Sequence, residues 1–482
     1  GGRPRRRRGR YAGFEARRSA VVTRPETGPE DALDRCIARM RRAGVAEPAV
    51  AVFADQYRQC RRGVTGIIAE DSIRPLLDPP KLADVAVPDD RARAALAQTV
   101  IIKLNGGLGT SMGLDAAKTL LPVRDGRSFL DLIVQQVRHA RHTHGVRLPL
   151  LFMNSFRTRQ DTLAALARHG DLPVAGLPLD FLQHREPKLL AAGLRPVDWP
   201  ADPELEWCPP GHGDIYPALW VSGLLDTLLA RGFRYASVAN GDNLGAAPDA
   251  KLAGWFADSG AAYAAEICPR TPNDRKGGHL AVRGSDGRLV LRDTAQTSPA
   301  DLKCFTDERV HPYFHANNLW LDLRRLRRLL AERAGNLRLP LIRNIKTVDP
   351  TDPASPQVIQ LESAMGAAIE VFDDSRAIVV PRDRFLPVKT TNELLLVRSD
   401  VFELGDDGRL RSVVHPIPRV ELDPRYYRLL SDFDDRIVVL PSLRAVTSLK
   451  VLGDWTFDAP AKLTGAVVLP DDGRAHRYPD ER

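Results

Sequence analysis

Residues 104–118 read LNGGLGTSMGLDAAK, and the residue types in that run suit one kind of guest. Four glycines, Gly106, Gly107, Gly109 and Gly113, let the backbone approach a ligand closely and turn its N–H groups inward. Such a nest attracts an anionic phosphate chain. A following helix N-terminus would add to that attraction. Lys118 closes the run and can neutralise phosphate charge. The run is not a Walker loop, which needs Gly-Lys-Ser/Thr, and its Gly107, Gly109 and Gly113 give G-x-G-x-x-x-G in place of the dinucleotide spacing. Taken alone, these residues leave a structural Gly-rich turn as the competing reading.

The elements around the loop say what must position it. Thr99-Val100-Ile101-Ile102 is a short β-branched run just ahead of it, and Leu148–Met153, Tyr235–Ala239 and Tyr263–Ile267 read as further buried strands. Phe129, Leu132, Ile133, Val137 and Ala140 share one face of a helix after the loop. Alternation of this kind predicts an α/β fold, a Rossmann-like, mostly parallel sheet with helices on both faces. Ligands of such sheets bind beyond the carboxyl ends of the strands. Before this domain, Leu33, Cys36, Ile37 and Met40, then Val50, Phe53 and Tyr57, mark helices, and residues 74–99 read as surface wrapping. From Arg436 onward, short apolar pulses separated by Gly453 and Gly465 predict a small β-helix-like C-terminal appendage. The expected organisation is a basic tail over 1–26, a helical segment over 27–98, a catalytic domain over 99–435 and a β-rich unit over 436–482.

Bulk composition narrows the class. The 482 residues are 43% hydrophobic and 27% charged, as in a soluble globular protein, and no apolar run is long enough to span a membrane. Residues 1–18 hold eight arginines against Glu15, so this tail carries almost all of the chain's net charge of +8. It reads as a solvated, disordered arm, with nucleic-acid binding the lesser reading. No apolar stretch follows it, so no secretory signal is expected. The five cysteines, Cys36, Cys60, Cys208, Cys268 and Cys304, lie far apart with no C-x-x-C pair, which fits reduced core thiols in a cytoplasmic enzyme.

LNGGLGTSMG with Lys118 resembles the nucleotide-binding signature of the eukaryotic-type UTP–glucose-1-phosphate uridylyltransferases, the UDP-glucose pyrophosphorylase family. The similarity continues in order through MNSF (153–156), PPGHGDIY (209–216), NGDNLGA (240–246), KGGHL (276–280), NNLW (317–320), NIKT (344–347), IQLESAMGAAI (359–369) and PRDRFLPVKTTNELLLV (381–397). It covers roughly residues 30–470. Many members carry Pro before the signature lysine, where this chain has Ala117.

The resemblance implies roles. Leu104, Asn105, Gly106 and Gly107 would hold the uridine and the start of the triphosphate, and Lys118 would pair with the departing phosphates. Gln183 looks like the uracil-reading residue, since an amide matches the donor and acceptor edge of uracil. Gly211 and His212 begin a second nest, with His212 against nucleotide or sugar phosphate; a loop histidine satisfying backbone carbonyls is its plain alternative. Asp242, after a buried strand, would hold Mg²⁺ together with substrate phosphates; an Asx-turn is the alternative there. Asn240, with Asn243, would support Asp242 at the substrate; Gly277, Gly278, Asn317, Asn318 and Glu362 would serve the sugar, while Lys389 and Lys346 would touch the transferring phosphate. Trp320 and Phe314 read as core.

The implied reaction is UTP plus glucose 1-phosphate giving UDP-glucose and pyrophosphate. A sugar-phosphate oxygen attacks the α-phosphorus in line and needs no protein nucleophile or general base. The same chemistry on another sugar 1-phosphate is the nearest rival, and a non-catalytic nucleotide or nucleic-acid binding protein the more distant one. The implied partners are UTP and the sugar phosphate, with the C-terminal region a candidate for homo-oligomer contacts.

Overall fold

The computed structural model describes residues 29–479 apart from 272, 273, 275 and 276. The Arg-rich segment and Lys276 of KGGHL therefore lie outside the described residues. Two helices come first, Pro29–Arg42 and Glu47–Arg61. Their stripes, Leu33, Cys36 and Met40 on one and Val50, Phe53 and Tyr57 on the other, are buried against Leu189, Leu341, Ile359 and Leu361. All five cysteines are free thiols, and four of them are buried. No helix among the described residues is long and apolar enough to cross a membrane.

A ten-stranded sheet organises the rest. Its strands in chain order are β1 (Ile73–Pro75), β2 (Thr99–Asn105), β3 (Leu150–Asn154), β4 (Asp180–Leu182), β5 (Tyr235–Asn240), β6 (Tyr263–Pro269), β7 (His279–Arg283), β8 (Leu289–Arg292), β9 (Tyr313–Asp322) and β10 (Ser375–Val379). Strand β2 shows how the sequence builds it. Its β-branched run is buried on both faces, and successive side chains go to opposite sides: Ile101 joins one hydrophobic core, while Val100 and Ile102 join the other. The first core is roofed by the helix Phe129–His144, whose expected stripe is buried, and the second by Ile215–Val221, Leu224–Ala230 and Leu323–Glu332. The long helix starts at a Ser128–Asp131 capping box and stops at Gly145, which takes the left-handed conformation that favours glycine.

The sheet is mixed. Strands β5, β2, β3 and β4 run parallel, and β6 is parallel to β10. Strand β9 runs antiparallel to both β5 and β6, and β1, β7 and β8 are antiparallel neighbours at the far edge. The parallel half is the half that carries the Gly-rich loop. Strand β1, ahead of the expected domain start at residue 99, is an edge strand of this sheet.

Strand β9 buckles where its neighbours change. Tyr235–Val238 of β5 pair with its residues 322–319, whereas His279 of β7 pairs with Phe314. On its other side, Ala265 faces Leu319 but Ile267 faces His315, so β9 carries two extra residues at that point. Asn317 sits in the buckle with φ of +58°.

Beyond the sheet, the strands Ser442–Val451 and Lys462–Leu469 pair in parallel, and so do Asp454–Phe457 and Ala475–Tyr478. The chain alternates between these two small sheets, as a β-helix does. Leu443, Leu449 and Leu463 belong to the same continuous core as Leu132 and Ile133. The Tyr427 hydroxyl donates to the Trp455 carbonyl, and the Tyr427 carbonyl accepts from the Thr391 hydroxyl at 2.7 Å.

Candidate active site

A cleft of about 530 Å³ opens at the carboxyl ends of β2, β3 and β5. Its wall includes Leu104, Asn105, Gly106, Gly107, Lys118, Gln183, Gly211, His212, Asn240, Asp242, Gly278, Asn317 and Lys389. Residues from most of the chain therefore converge on one space, where strand-end geometry predicts a ligand.

The Gly-rich loop leaves β2 and returns to it. Leu108 bridges Ala117, Gly109 N–H donates to the Ala116 carbonyl, and Lys118 N–H donates to the Gly107 carbonyl. This closure carries Lys118 back beside β5, where its ammonium lies 2.7 Å from Asp242 Oδ2. The expected helix N-terminus is absent from the loop. Thr110–Met112 forms one 3-10 turn, and the helix at Phe129 gives its first N–H to the Leu121 carbonyl and the Asp131 N–H to the Ser128 cap.

Lys389 reaches the same Asp242 oxygen at 3.0 Å from the other side. Burial alone would raise the Asp242 pKa, but Lys389 and Lys118 outweigh it and hold the carboxyl below its usual range. Asp242 Oδ1 is buried and has no hydrogen-bond partner among the described residues. That orphaned oxygen is what a cation ligand looks like. No group of three or more His, Cys, Asp or Glu able to hold a metal occurs among the described residues. The donor set thus suits an ion that takes one carboxylate and completes its shell with phosphate and water, as Mg²⁺ does.

Amide side chains divide into two classes. Asn105 is held by scaffold: its side chain donates to Asn154 and Thr162 and accepts from Thr119. Gln183, Asn240 and Asn317 line the cleft, and none of their side-chain amides has a partner among the described residues. Such groups are available to a polar ligand.

His212 is also fixed for donation. Its Nδ1 accepts from the Met365 backbone N–H at 2.8 Å, so the neutral ring carries its proton on Nε2. Burial, helped by Lys389, lowers its pKa to about 4 and keeps it neutral. Gly211 and Gly213 press the nest onto Ser363, which bonds to both Pro210 and Gly213.

Four expected site residues are not on this wall. Asn318, expected at the sugar, is buried, and its amide donates to Glu266 at 3.0 Å. Lys346 is exposed on the edge strand Ile342–Thr347. Glu362 pairs with Ile342 and borders Gly211 from behind. Gly277 gives its carbonyl to Arg270 while its neighbour Gly278 faces the cleft. Trp320 and Phe314 are buried core, as expected.

The sequence reading missed His315 and Asp293, which close the end of the cleft beyond Gly278. Burial, with His212, lowers the His315 pKa to about 3, and burial raises that of Asp293. No alternation in the sequence marks His315, because the buckle of β9 brings His315, Ala316 and Asn317 together onto the cleft.

Comparison with known proteins follows the same lines. The sequence pattern of the UTP–glucose-1-phosphate uridylyltransferase family matches residues 51–464. This chain belongs to that family. The Solanum tuberosum UTP–glucose-1-phosphate uridylyltransferase is 38% identical over 395 residues, covering 81% of this chain and 80% of that protein. The Saccharomyces cerevisiae enzyme is 38% identical over 378 residues, covering 78% of this chain and 74% of the other. Among solved structures, Trypanosoma brucei UDP-glucose phosphorylase superimposes with a TM-score of 0.87 at 40% identity, covering 94% of this chain and 98% of that one. A variant of Leishmania major UDP-glucose pyrophosphorylase in complex with UDP-glucose gives 0.86 at 41% identity, covering 93% and 97%. The family's fold and the resemblance carried by the ordered motifs therefore agree.

Proposed function

We infer that this chain is a UTP–glucose-1-phosphate uridylyltransferase, which forms UDP-glucose and pyrophosphate from UTP and glucose 1-phosphate. The observation that carries the reading is the pairing of Lys118 and Lys389 across Asp242, in a cleft that also presents the Gly106–Gly107 backbone and the unpartnered amide of Gln183.

In this reading Gln183 reads the uracil edge, and the Gly-rich backbone holds the nucleotide. Asn240, Asn317 and the Gly278 backbone hold the sugar hydroxyls, with His212 Nε2–H donating to a phosphate oxygen. Lys389 and Lys118 leave Asp242 for the phosphates and stabilise the charge that builds on them as the sugar-phosphate oxygen attacks the α-phosphorus in line. The attacking oxygen is already ionised at neutral pH, so positioning and charge stabilisation suffice. Asp242, through Oδ1, would hold Mg²⁺, which supplies further neutralisation of phosphate charge when bound. The free thiols fit a cytoplasmic setting. The C-terminal edge strand Lys462–Leu469, with Val468 exposed, is the surface offered for self-association.

The test is pyrophosphate release from UTP with a panel of sugar 1-phosphates, with and without Mg²⁺. The highest kcat/KM is expected with glucose 1-phosphate, together with loss of release in chelator. A higher value with N-acetylglucosamine 1-phosphate would reassign the sugar, and no release with any of them would leave only nucleotide binding.

A further inference from the structure

Asp242 and Lys389 lie 147 residues apart in the chain, yet they meet at 3.0 Å. A buried cluster behind the cleft holds their two segments together. Arg384 sends a two-point fork into Glu266, at 2.7 and 2.9 Å, and a third N–H to the Ala247 carbonyl at 2.9 Å. Glu266, on β6, is completely buried and also accepts from Asn318 and from the Trp320 indole. The Arg384 carbonyl accepts from Asn243 and Asn318, and Asn243 Oδ1 takes the Leu386 N–H at 2.8 Å. Asn243 bridges Pro387, and Val388 N–H donates to the Asp242 carbonyl. The run from Arg384 to Lys389 is thus stitched, residue after residue, along the turn that presents Asp242.

We propose that Arg384, anchored by Glu266 and Asn318, is a positioning residue that sets where the Lys389 ammonium stands in the cleft. The proposal rests on the role given to Lys389 above. Neither Arg384 nor Glu266 lines the cleft, so neither touches substrate. Their geometry explains why a lysine on an extended, partly exposed loop has a defined place. A guanidinium fork fixes direction as well as charge, which a lysine at the same position would not reproduce. Lys103 adds to the same cluster: its ammonium donates to the Ala246 carbonyl at 2.7 Å, and burial beside Arg384 draws its pKa down to about 7.

The experiment is a double-mutant cycle on the full chain: Arg384→Lys, Lys389→Ala and the pair, followed by steady-state pyrophosphate release and thermal melting. Arg384→Lys is expected to lower kcat at least tenfold with KM for UTP within about twofold of wild type. In the Lys389→Ala background it should have almost no further effect. Losses that multiply, or a wild-type kcat in Arg384→Lys, would overturn the proposal while leaving the role of Lys389 intact. Wild-type turnover in Lys389→Ala would remove that role instead, and the proposal with it. Asn318→Ala, a milder change, guards against misfolding of Arg384→Lys: it should show the same fall confined to kcat, and an unchanged kcat would sink the idea.

Discussion

Gly106 and Gln183 occupy one space: a methyl group on Gly106 would stand 2.6 Å from the Gln183 amide oxygen and 2.7 Å from its nitrogen. Only a residue without a side chain leaves room there for the amide proposed to read the base. Gly106→Ala should push the Gln183 side chain aside with little effect on folding, since the displaced atoms are the far end of a flexible side chain. KM for UTP is expected to rise about tenfold, the loss of roughly one hydrogen bond. An unchanged KM would mean that Gln183 does not read the base.

Removal of Lys389 should separate catalysis from stability. Its side chain is 58% exposed, so Lys389→Ala should melt close to wild type. Loss of a charge-stabilising contact made in the transition state costs about 100-fold in kcat. Pyrophosphate release beside a melting curve measures both.

Gly211→Ala should act first on the fold. Gly211 has φ of +79°, and an added Cβ would lie 2.5 Å from the Ser363 carbonyl oxygen. Backbone strain and a contact that cannot relax together cost about 1–3 kcal/mol. Urea unfolding checks this, and a wild-type midpoint would show that the nest is looser than the structure indicates.

Acid should destabilise the protein through its buried histidines. Burial lowers the pKa of His212 to about 4, His315 to about 3 and His279 to about 2, against 6.5 for the exposed ring. Below about pH 6.5 the unfolded chain takes protons that the folded one refuses. Stability is therefore full above that pH and falls as the pH drops toward the folded values. Each histidine adds a slope of up to about 1.4 kcal/mol per pH unit. Unfolding free energies at pH 7.5, 6.5 and 5.5 test the direction, and His279→Gln should make the decline shallower.

Much of this was legible in the residues. A β-branched run placed β2, short apolar runs placed β3, β5 and β6, and the stripe from Phe129 to Ala140 placed the long helix, because burial on one or two faces leaves a mark in the residue types. The Gly-rich loop and the NGDN turn were legible for the same reason that they work: close backbone approach needs glycine. The antiparallel course of β9 was not, since a buried strand carries no mark of its direction. Asn317 and Asn318 looked alike in sequence, and only the buckle and the partner of each amide separate a cleft residue from a scaffold residue. Arg384 gave no sign at all, because its partner Glu266 lies 118 residues away.

The Tyr427 linkage ties the C-terminal strands to the loop that bears Lys389. Thr391 follows Lys389 by two residues and is pinned through Tyr427 to the backbone of Trp455. The C-terminal coils thus work as a backstop behind the loop that bears the lysine. Trimming them would slacken that loop from its far side, so even a truncated chain that still folded and bound nucleotide would turn over slowly.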